Sequence, residues 1–558
     1  MTPTHAWQSD SFEPLAKQPR NVRGFPVIDM LSVAIGLLLA WIGIFELPYC
    51  FPPTEPTAWS ESYSSGFNNR VSVLATLAII GAFCWRNYTW RPRAPEPVDT
   101  LIIDDSREGR IRTKMPKAVL LLLAAIHAIS AFLIFHCLPY LDEYGEPYNL
   151  LPRILVGLRH GLAPFRDIGW NYGPGLYYIP QAFIAMGSRF GANSDLSYFL
   201  AYLCCSLLGI WALFYVVDSL RIRRGLRVLV FSILVLVTDD LTLGVQYTLL
   251  RFITPFAAML VVHRMAADAM SAGKGRRLWR VYATAAIAVA VVLSISTEIG
   301  IVYAVAQTAY FVHRALFFRR VWVCGSIITA ATAVVLVLGI PGTLDGLTAF
   351  SKGACNFPVY FAAHTVVYVV SLFWVLPILL RGCLSLRPRS NVSLLLAWSG
   401  LTIGMIPGAL GRCDAGHVFF YGIGAFLLTM ATMARFRREL LVIYAIVFFA
   451  VFGIEMRLIG YASYGDFLAP VLKVIQGDGV ERVPHCAAVD ELHLDTFKSI
   501  ASPFDCDRDM RRYLIDSGRL APLYHLDLLS VCTVRDIERM VRDLKKARVV
   551  LALHFPKN

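Results

Sequence analysis

The sequence predicts an all-α polytopic membrane protein. Three observations carry that reading: hydrophobic residues make up 56% of the 558-residue chain, charged residues only 16%, and span-length apolar runs recur between short basic segments. Soluble domains carry about 25% charge, so most of this chain cannot face water. The mean hydropathy of +0.57 agrees. The same composition excludes a disordered chain, a collagen-like repeat and a small disulfide scaffold.

Residues 1–26 are polar and place Lys17, Arg20 and Arg23 just before the first apolar run. That run has no small-x-small cleavage site, so it reads as an uncleaved anchor with the tail in the cytoplasm. About thirteen spans are expected, at 27–47, 71–89, 117–138, 196–218, 226–243, 246–263, 281–297, 299–313, 321–341, 363–380, 392–410, 417–434 and 440–458. Residues 27–116 then hold two N-terminal spans and a basic cytoplasmic linker. The main transmembrane domain runs over 117–458, with a large outer loop at 139–195.

The segment 173–190 (GPGLYYIPQAFIAMGSRF) is apolar but short, and Pro174, Gly175 and Pro180 interrupt it. Counting it as a span would put Arg221, Arg223, Arg224 and Arg227 outside, with Lys274, Arg276, Arg277 and Arg280. Leaving it at the interface puts both clusters inside, beside the other basic loops. Positive-inside consistency therefore favours a segment that does not cross. The C-terminal stretch 459–558 falls outside and reads as a small soluble α/β module. Helical spacing over 533–547 places Ile537, Met540, Val541 and Leu544 on one face, and the strand-like RVVLALHF follows.

The formal net charge of +13 follows the same topology, because basic residues sit between apolar segments. There is no aromatic–basic nucleic-acid module and no Walker-type loop, so nucleic acid is not an expected partner. The 12 cysteines contain no C-x-x-C, and most lie singly in apolar segments as small hydrophobes. Cys486, Cys506 and Cys532 fall in the polar C-terminal stretch, where one disulfide or three free thiols are both open.

Topology brings a set of polar residues to the outer face. Asp142 and Glu143 follow the third span directly, in LPYLDEYGEP. Arg166 and Asp167 lie later in the same outer loop, with Tyr172 in the aromatic stretch beyond them. Asp239 and Asp240 end the fifth span, Arg251 lies about one turn into the sixth, and Glu298 sits at a junction of two spans. Lys352 is in a later outer loop, and Arg412, Asp414 and His417 share the turn GRCDAGH. Ionisable groups at membrane depth are expensive and are usually paired or functional. Glu298 could neutralise Arg251, and Asp239 or Asp240 could cap a helix. Arg251 and Arg412 are the cations that a lipid phosphate would need at that depth. Asp414 and His417 fall short of a metal set, and their spacing suits a phosphate-binding or hydrogen-bonding cluster better.

The span followed by Asp142-Glu143, the loop text GLAPFRDIGWNYGPGLYYIP and the turn GRCDAGH together resemble the GT-C superfamily of membrane glycosyltransferases, which includes protein O-mannosyltransferases and lipid A aminoarabinose transferases. The resemblance covers roughly 117–460, and the two spans before it depart from the pattern. It implies a GT-C-like membrane fold and transfer of a sugar, with inversion, from a polyprenyl-phosphate donor. The acceptor would be a glycan, lipid or protein on the outer face, periplasmic for a bacterial inner membrane, the default on this resemblance, or lumenal for an ER membrane. Asp142 would be the catalytic base, and Glu143 would orient it or bind the acceptor. Arg166, Arg251, Lys352, Arg412 and His417 would hold the donor phosphate and lipid, while Asp167, Tyr172, Asp239, Asp240, Glu298 and Asp414 would bind substrate. The resemblance names no certain cofactor and leaves a divalent cation open.

Two rival functions share part of this pattern. A transporter or lipid flippase would also gather ionisable groups between helices, but at the bilayer midplane, and no inverted repeat is visible. A polysaccharide polymerase or ligase acting on lipid diphosphates would share the basic outer loops, and the Asp-Glu pair favours the glycosyltransferase.

Overall fold

The computed structural model describes residues 35–54, 60–90, 101, 114–137, 146–238, 243–271, 278–344, 347, 356–384, 390–459 and 500–501, together with 514, 517, 519–523, 534–546 and 550. Helices dominate these residues, and nine are long and apolar enough to cross a membrane. Their sequences explain this. A stretch such as KAVLLLLAAIHAISAFLIFHC (α3, Lys117–Cys137) has 21 residues and no charge after its first, which gives about 31 Å of helix against about 30 Å of hydrocarbon.

Two helices precede it, α1 (Ile35–Cys50) and α2 (Asn69–Trp90). After α3 come two short ones, α4 (Glu146–His160) and α5 (Gly175–Arg189). The bundle continues with α6 (Ser194–Asp218), α7 (Arg224–Val237), α8 (Leu249–Ser271), α9 (Leu278–Ile295), α10 (Thr297–Phe317) and α11 (Val323–Gly339). It closes with α12 (Ala363–Leu384), α13 (Ser390–Gly404), the short α14 (Ile406–Gly411), α15 (Ala415–Phe436) and α16 (Arg438–Phe448), which runs on as a π-helical stretch over Phe449–Ile459. Short connections make most successive helices antiparallel neighbours.

Burial sorts these helices into layers. Of the span in α15, 89% is buried, whereas only 22% of that in α3 and 17% of that in α11 is. So α15 forms the axis, and the exposed Leu121, Leu122, Ile126 and Ile129 of α3 face lipid. The helix α6 belongs to two cores. Its second half (Ile210, Leu213, Val216, Val217) packs into the main bundle. Its first half (Tyr198, Phe199, Tyr202) packs with α4, α5, the loop between them and Ile500, Leu514, Leu520 and Leu523 of the C-terminal stretch.

The hairpin of α9 and α10 turns on one extended residue, Ser296 (φ −151°, ψ 113°). Its N–H donates to Val292 O at 2.9 Å, and Gly300 N–H donates back to Ser296 O at 2.8 Å. Such a tight turn needs glycine one helical turn on, because a Cβ at Gly300 would meet Leu293 Cα at 2.6 Å.

Four expected spans fall, over their described residues, below the length or apolarity of a membrane crossing, and α5 has the shortness expected of it. The expected spans near 27–47 and 226–243 correspond to α1 and α7, and α7 has only 14 residues. Those near 71–89 and 299–313 correspond to full-length helices of mixed polarity, since α2 contains Arg70 and Arg86 and α10 contains Glu298, Gln307 and Arg314. None of these four is among the nine. The segment over α5 is helical for 15 residues, about 22 Å and short of a crossing. Within the expected C-terminal module the described residues form one helix, α17 (Val534–Leu544), and two isolated parallel bridges, Ile500 with Leu520 and Ala501 with Val550. They form no strand, and much of RVVLALHF lies outside the described residues.

Gly300→Val should force the α9–α10 hairpin apart and cost about 1–3 kcal/mol by overpacking. Thermal unfolding in detergent, followed by size exclusion, would register this as a lower midpoint.

Candidate functional site

The starts of α8 and α15, the tip of the α9–α10 hairpin and the loop before α5 meet at one end of the bundle. Arg251 stands at their centre, in the first turn of α8, with its side chain only 4% exposed. Its Nη2 donates to Glu298 Oε1 and, at 2.7 Å, to Tyr421 Oη. Its Nε donates to Ser296 Oγ at 3.1 Å and its Nη1 to Gln246 O at 3.2 Å. The guanidinium also lies over the rings of Tyr172 and Phe252, each 4.9 Å from the centroid. Glu298 occupies the first turn of α10, where a carboxylate favours the helix dipole, and Oε1 also accepts from Tyr421 Oη at 3.1 Å.

Tyr172 reaches this cluster because its loop is tied to the hairpin. Gly173 N–H donates to Ile295 O at 3.3 Å, and Trp170 Nε1 donates to Gly173 O at 3.1 Å. A side chain at Gly173 would strike the Ser294–Ile295 backbone.

A second chain of contacts starts at Asp414, the N-cap of α15. It accepts His417 N–H at 2.9 Å, as an aspartate cap should. The same carboxylate meets His417 Nδ1, 2.7 Å from Oδ2 and 3.0 Å from Oδ1. That contact fixes the hydrogen on Nδ1 and leaves Nε2 with the lone pair. Nε2 faces Tyr247 Oη at 3.2 Å. One turn along α15, Tyr421 stacks with His417 at 6.3 Å between centroids and links this chain to Arg251. Arg412, in the preceding turn, lies over the Phe357 ring and places Nε 3.5 Å from Asp414 Oδ2, with its side chain 34% exposed. Partial desolvation favours the acid form of Asp414, but His417 and Arg412 outweigh it and hold its pKa below the ordinary carboxylate value.

Behind the GRCDAGH turn lies further polar structure. His364 Nε2 lies 3.0 Å from Cys413 O and its Nδ1 2.6 Å from Glu455 Oε2. Asn69, at the start of α2, donates to Phe357 O at 2.8 Å and to Leu410 O at 2.9 Å. The Arg412 turn is therefore gripped by α2, α12 and the final π-helical stretch together.

Tyr172, Arg251, Glu298, Arg412, Asp414 and His417, all singled out from sequence, thus join one network. Arg166 and Asp167 pair with each other on a separate turn. Arg166 Nη2 lies 2.7 Å from Asp167 Oδ2, which also accepts Ala163 N–H at 3.0 Å. Phe165 beside them has φ +68°, and Arg539 of α17 donates to Arg166 O at 3.0 Å. The Arg166 guanidinium, then the Ala163 amide, hold the Asp167 carboxyl below its ordinary pKa. Asp142, Glu143, Asp239, Asp240 and Lys352 lie outside the described residues.

Sequence reasoning missed Tyr421, Tyr247, Ser296, His364 and Glu455. Two carried a usable signal: Tyr421 is four residues from His417 on one helix face, and Glu455 is an ionisable residue inside an apolar run. Among the described residues no group of three or more His, Cys, Asp and Glu side chains could hold a metal ion.

No protein-family model matches the chain, and no curated protein matches it in sequence. Among solved structures, it is similar to the archaeal oligosaccharyltransferase AglB from Archaeoglobus fulgidus in complex with an inhibitory peptide and a dolichol-phosphate, at 11% identity and a TM-score of 0.43, over 74% of this chain and 65% of that one. It is also similar to the Archaeoglobus fulgidus oligosaccharyltransferase with zinc and sulfate (13% identity, TM-score 0.39, 72% of this chain and 62% of that one). The apo form gives 13% identity and a TM-score of 0.40, over 72% and 64%. The chain spans less than two thirds of the length of each.

Removing Arg251 leaves Glu298 and two hydroxyls without their cation. Arg251→Met should destabilise the protein by about 3–5 kcal/mol, and adding Glu298→Gln should recover part of that loss. A double-mutant cycle on thermal unfolding measures both. The Asp167 contribution, from a depressed pKa, is present above about pH 3.9 and lost as pH falls through the folded value. Acid should therefore loosen the 163–168 turn, read as faster exchange of its amides after correction for intrinsic rates, and Asp167→Asn should remove that acid dependence.

Proposed function

We propose that the protein is a GT-C-type membrane glycosyltransferase. It moves a sugar from a polyprenyl-phosphate donor to a glycan, lipid or protein acceptor at the periplasmic face of a bacterial inner membrane. One observation carries this reading: residues 172, 251, 298, 412, 414 and 417, far apart in sequence, form one network at an end of the bundle rather than at its middle. A transporter would need its polar site near the midplane.

The chemistry assigns roles to these groups. The acceptor hydroxyl gives its proton to Asp142, oriented by Glu143, as its oxygen attacks the anomeric carbon. The bond from that carbon to the phosphate oxygen breaks, and the electron pair stays on the phosphate. Positioned proton transfer is worth on the order of 10²–10⁴-fold. Negative charge beside the sugar stabilises the oxocarbenium-like transition state, a role for Glu298, Asp239 and Asp240. Cations held in place before reaction stabilise the departing phosphate without reorganising. Arg412 is the more exposed of the network's two arginines and makes the direct contact, with Arg166 and Lys352 as further contacts. Arg251 acts mainly by holding Tyr172, Tyr421 and Glu298 in position.

The test is turnover by the purified protein in lipid nanodiscs, offered a panel of labelled polyprenyl-phosphate sugars. Released polyprenyl phosphate is the readout. Asp142→Asn should lower kcat by on the order of 10²–10⁴-fold while donor binding persists. Arg412→Gln should raise the KM for donor by about tenfold, the loss of one charge-assisted contact. Wild-type turnover in Asp142→Asn would remove the base assignment, and no donor binding or release across the panel would remove the glycosyltransferase reading.

A further inference from the structure

Among the described residues the cluster holds two carboxylates, Asp414 and Glu298, against two guanidiniums, Arg412 and Arg251. The reaction does not conserve charge on the phosphate. The donor is a phosphodiester with one negative charge, and the product is a monoester whose second ionisation falls near pH 6 and adds almost a full charge at neutral pH. His417 is the group of this network whose charge can change at neutral pH.

Its geometry suits that task. Asp414 holds Nδ1 and stands ready to stabilise an imidazolium, while Nε2 points away from the carboxylate toward Tyr247 Oη at 3.2 Å. The tyrosine hydroxyl can donate to a neutral Nε2 or accept from a protonated one, so both states are satisfied without moving the ring. The groups facing His417 are Asp414 at the cap, Arg412 in the preceding turn, Arg251 of α8, Tyr247 before it and Tyr421 of its own helix, with Glu298 behind Tyr421. The ring is 14% exposed, which leaves an edge for a ligand.

We propose that His417 is a proton-coupled sensor of the product phosphate: when the phosphate monoester occupies the site, Nε2 takes up a proton from solvent and, as an imidazolium that keeps the proton, turns its N–H hydrogen bond from Tyr247 Oη to a phosphate oxygen, and it stays neutral with the phosphodiester donor. This rests on the glycosyltransferase reading. Overall the acceptor loses the proton, the phosphate gains the electron pair, and His417 balances the new charge until the product leaves. Asp414 is then a positioning residue, and low pH selectively tightens product binding.

The experiment is calorimetric titration of the full-length protein in nanodiscs with a short-chain polyprenyl phosphate and, separately, with its methyl phosphodiester. Running each near pH 7.5 in two buffers of different ionisation enthalpy counts the protons bound. The wild type should take up a substantial fraction of one proton with the monoester and close to none with the diester. His417→Gln should lose that uptake and bind the monoester about tenfold more weakly. Asp414→Asn keeps an N-cap and the histidine, so it tests the idea even if His417→Gln misfolds; its uptake should fall. Binding of the monoester with equal uptake in the wild type and both variants, or with none in the wild type, overturns the sensor alone. Failure of both ligands to bind the wild type overturns the sensor and the glycosyltransferase reading together.

Discussion

The buried cation of Arg251 is the constraint on which the rest of the site depends. A guanidinium withdrawn from water costs several kcal/mol unless its donors and its charge are matched. Here they are matched by groups from different elements: Glu298 and Ser296 at the α9–α10 hairpin, Tyr421 on α15, Gln246 before α8 and the Tyr172 ring from the loop before α5. The planar fork of arginine can reach these partners at once, and a lysine point charge could not. Each partner is a tie between one helix end and the next, so the charge requirement doubles as an architectural one.

That economy extends outward from the arginine. Asp414 ends one helix electrostatically and orients a histidine with the same carboxylate. The turn that carries it is fastened from behind by His364 with Glu455 and from the side by Asn69. The helix α2, which precedes residue 117, is thus part of the support for the Arg412 turn. The outer layer has its own fastening: α6 serves both hydrophobic cores, and Arg539 reaches back to the Arg166 turn.

Apolar surface outside the bundle has a different meaning here from that in a soluble protein. Exposed Leu121, Ile129, Val335 and Ile446 lie on spans and meet acyl chains, where burial against protein brings no hydrophobic gain. Discrimination among packings therefore falls to close contacts such as Gly300 against Leu293 and to polar ties between helices.

Sequence alone determined the membrane class, most of the helix positions and the shortness of the helix at α5. Those properties follow from local hydropathy, length and loop charge, each read within about twenty residues. It also picked out Arg251, Glu298, Arg412, Asp414 and His417, because ionisable groups beside apolar runs are conspicuous for their cost. Only the tertiary structure decided which of them meet. Arg166 and Asp167, neighbours in sequence, are one another's ion-pair partners on the 163–168 turn. Tyr247 and Tyr421 are ordinary aromatics in sequence and become the links between histidine and arginine only when the starts of α8 and α15 converge. Pairing across 170 residues depends on helix order and rotation, which no local pattern encodes.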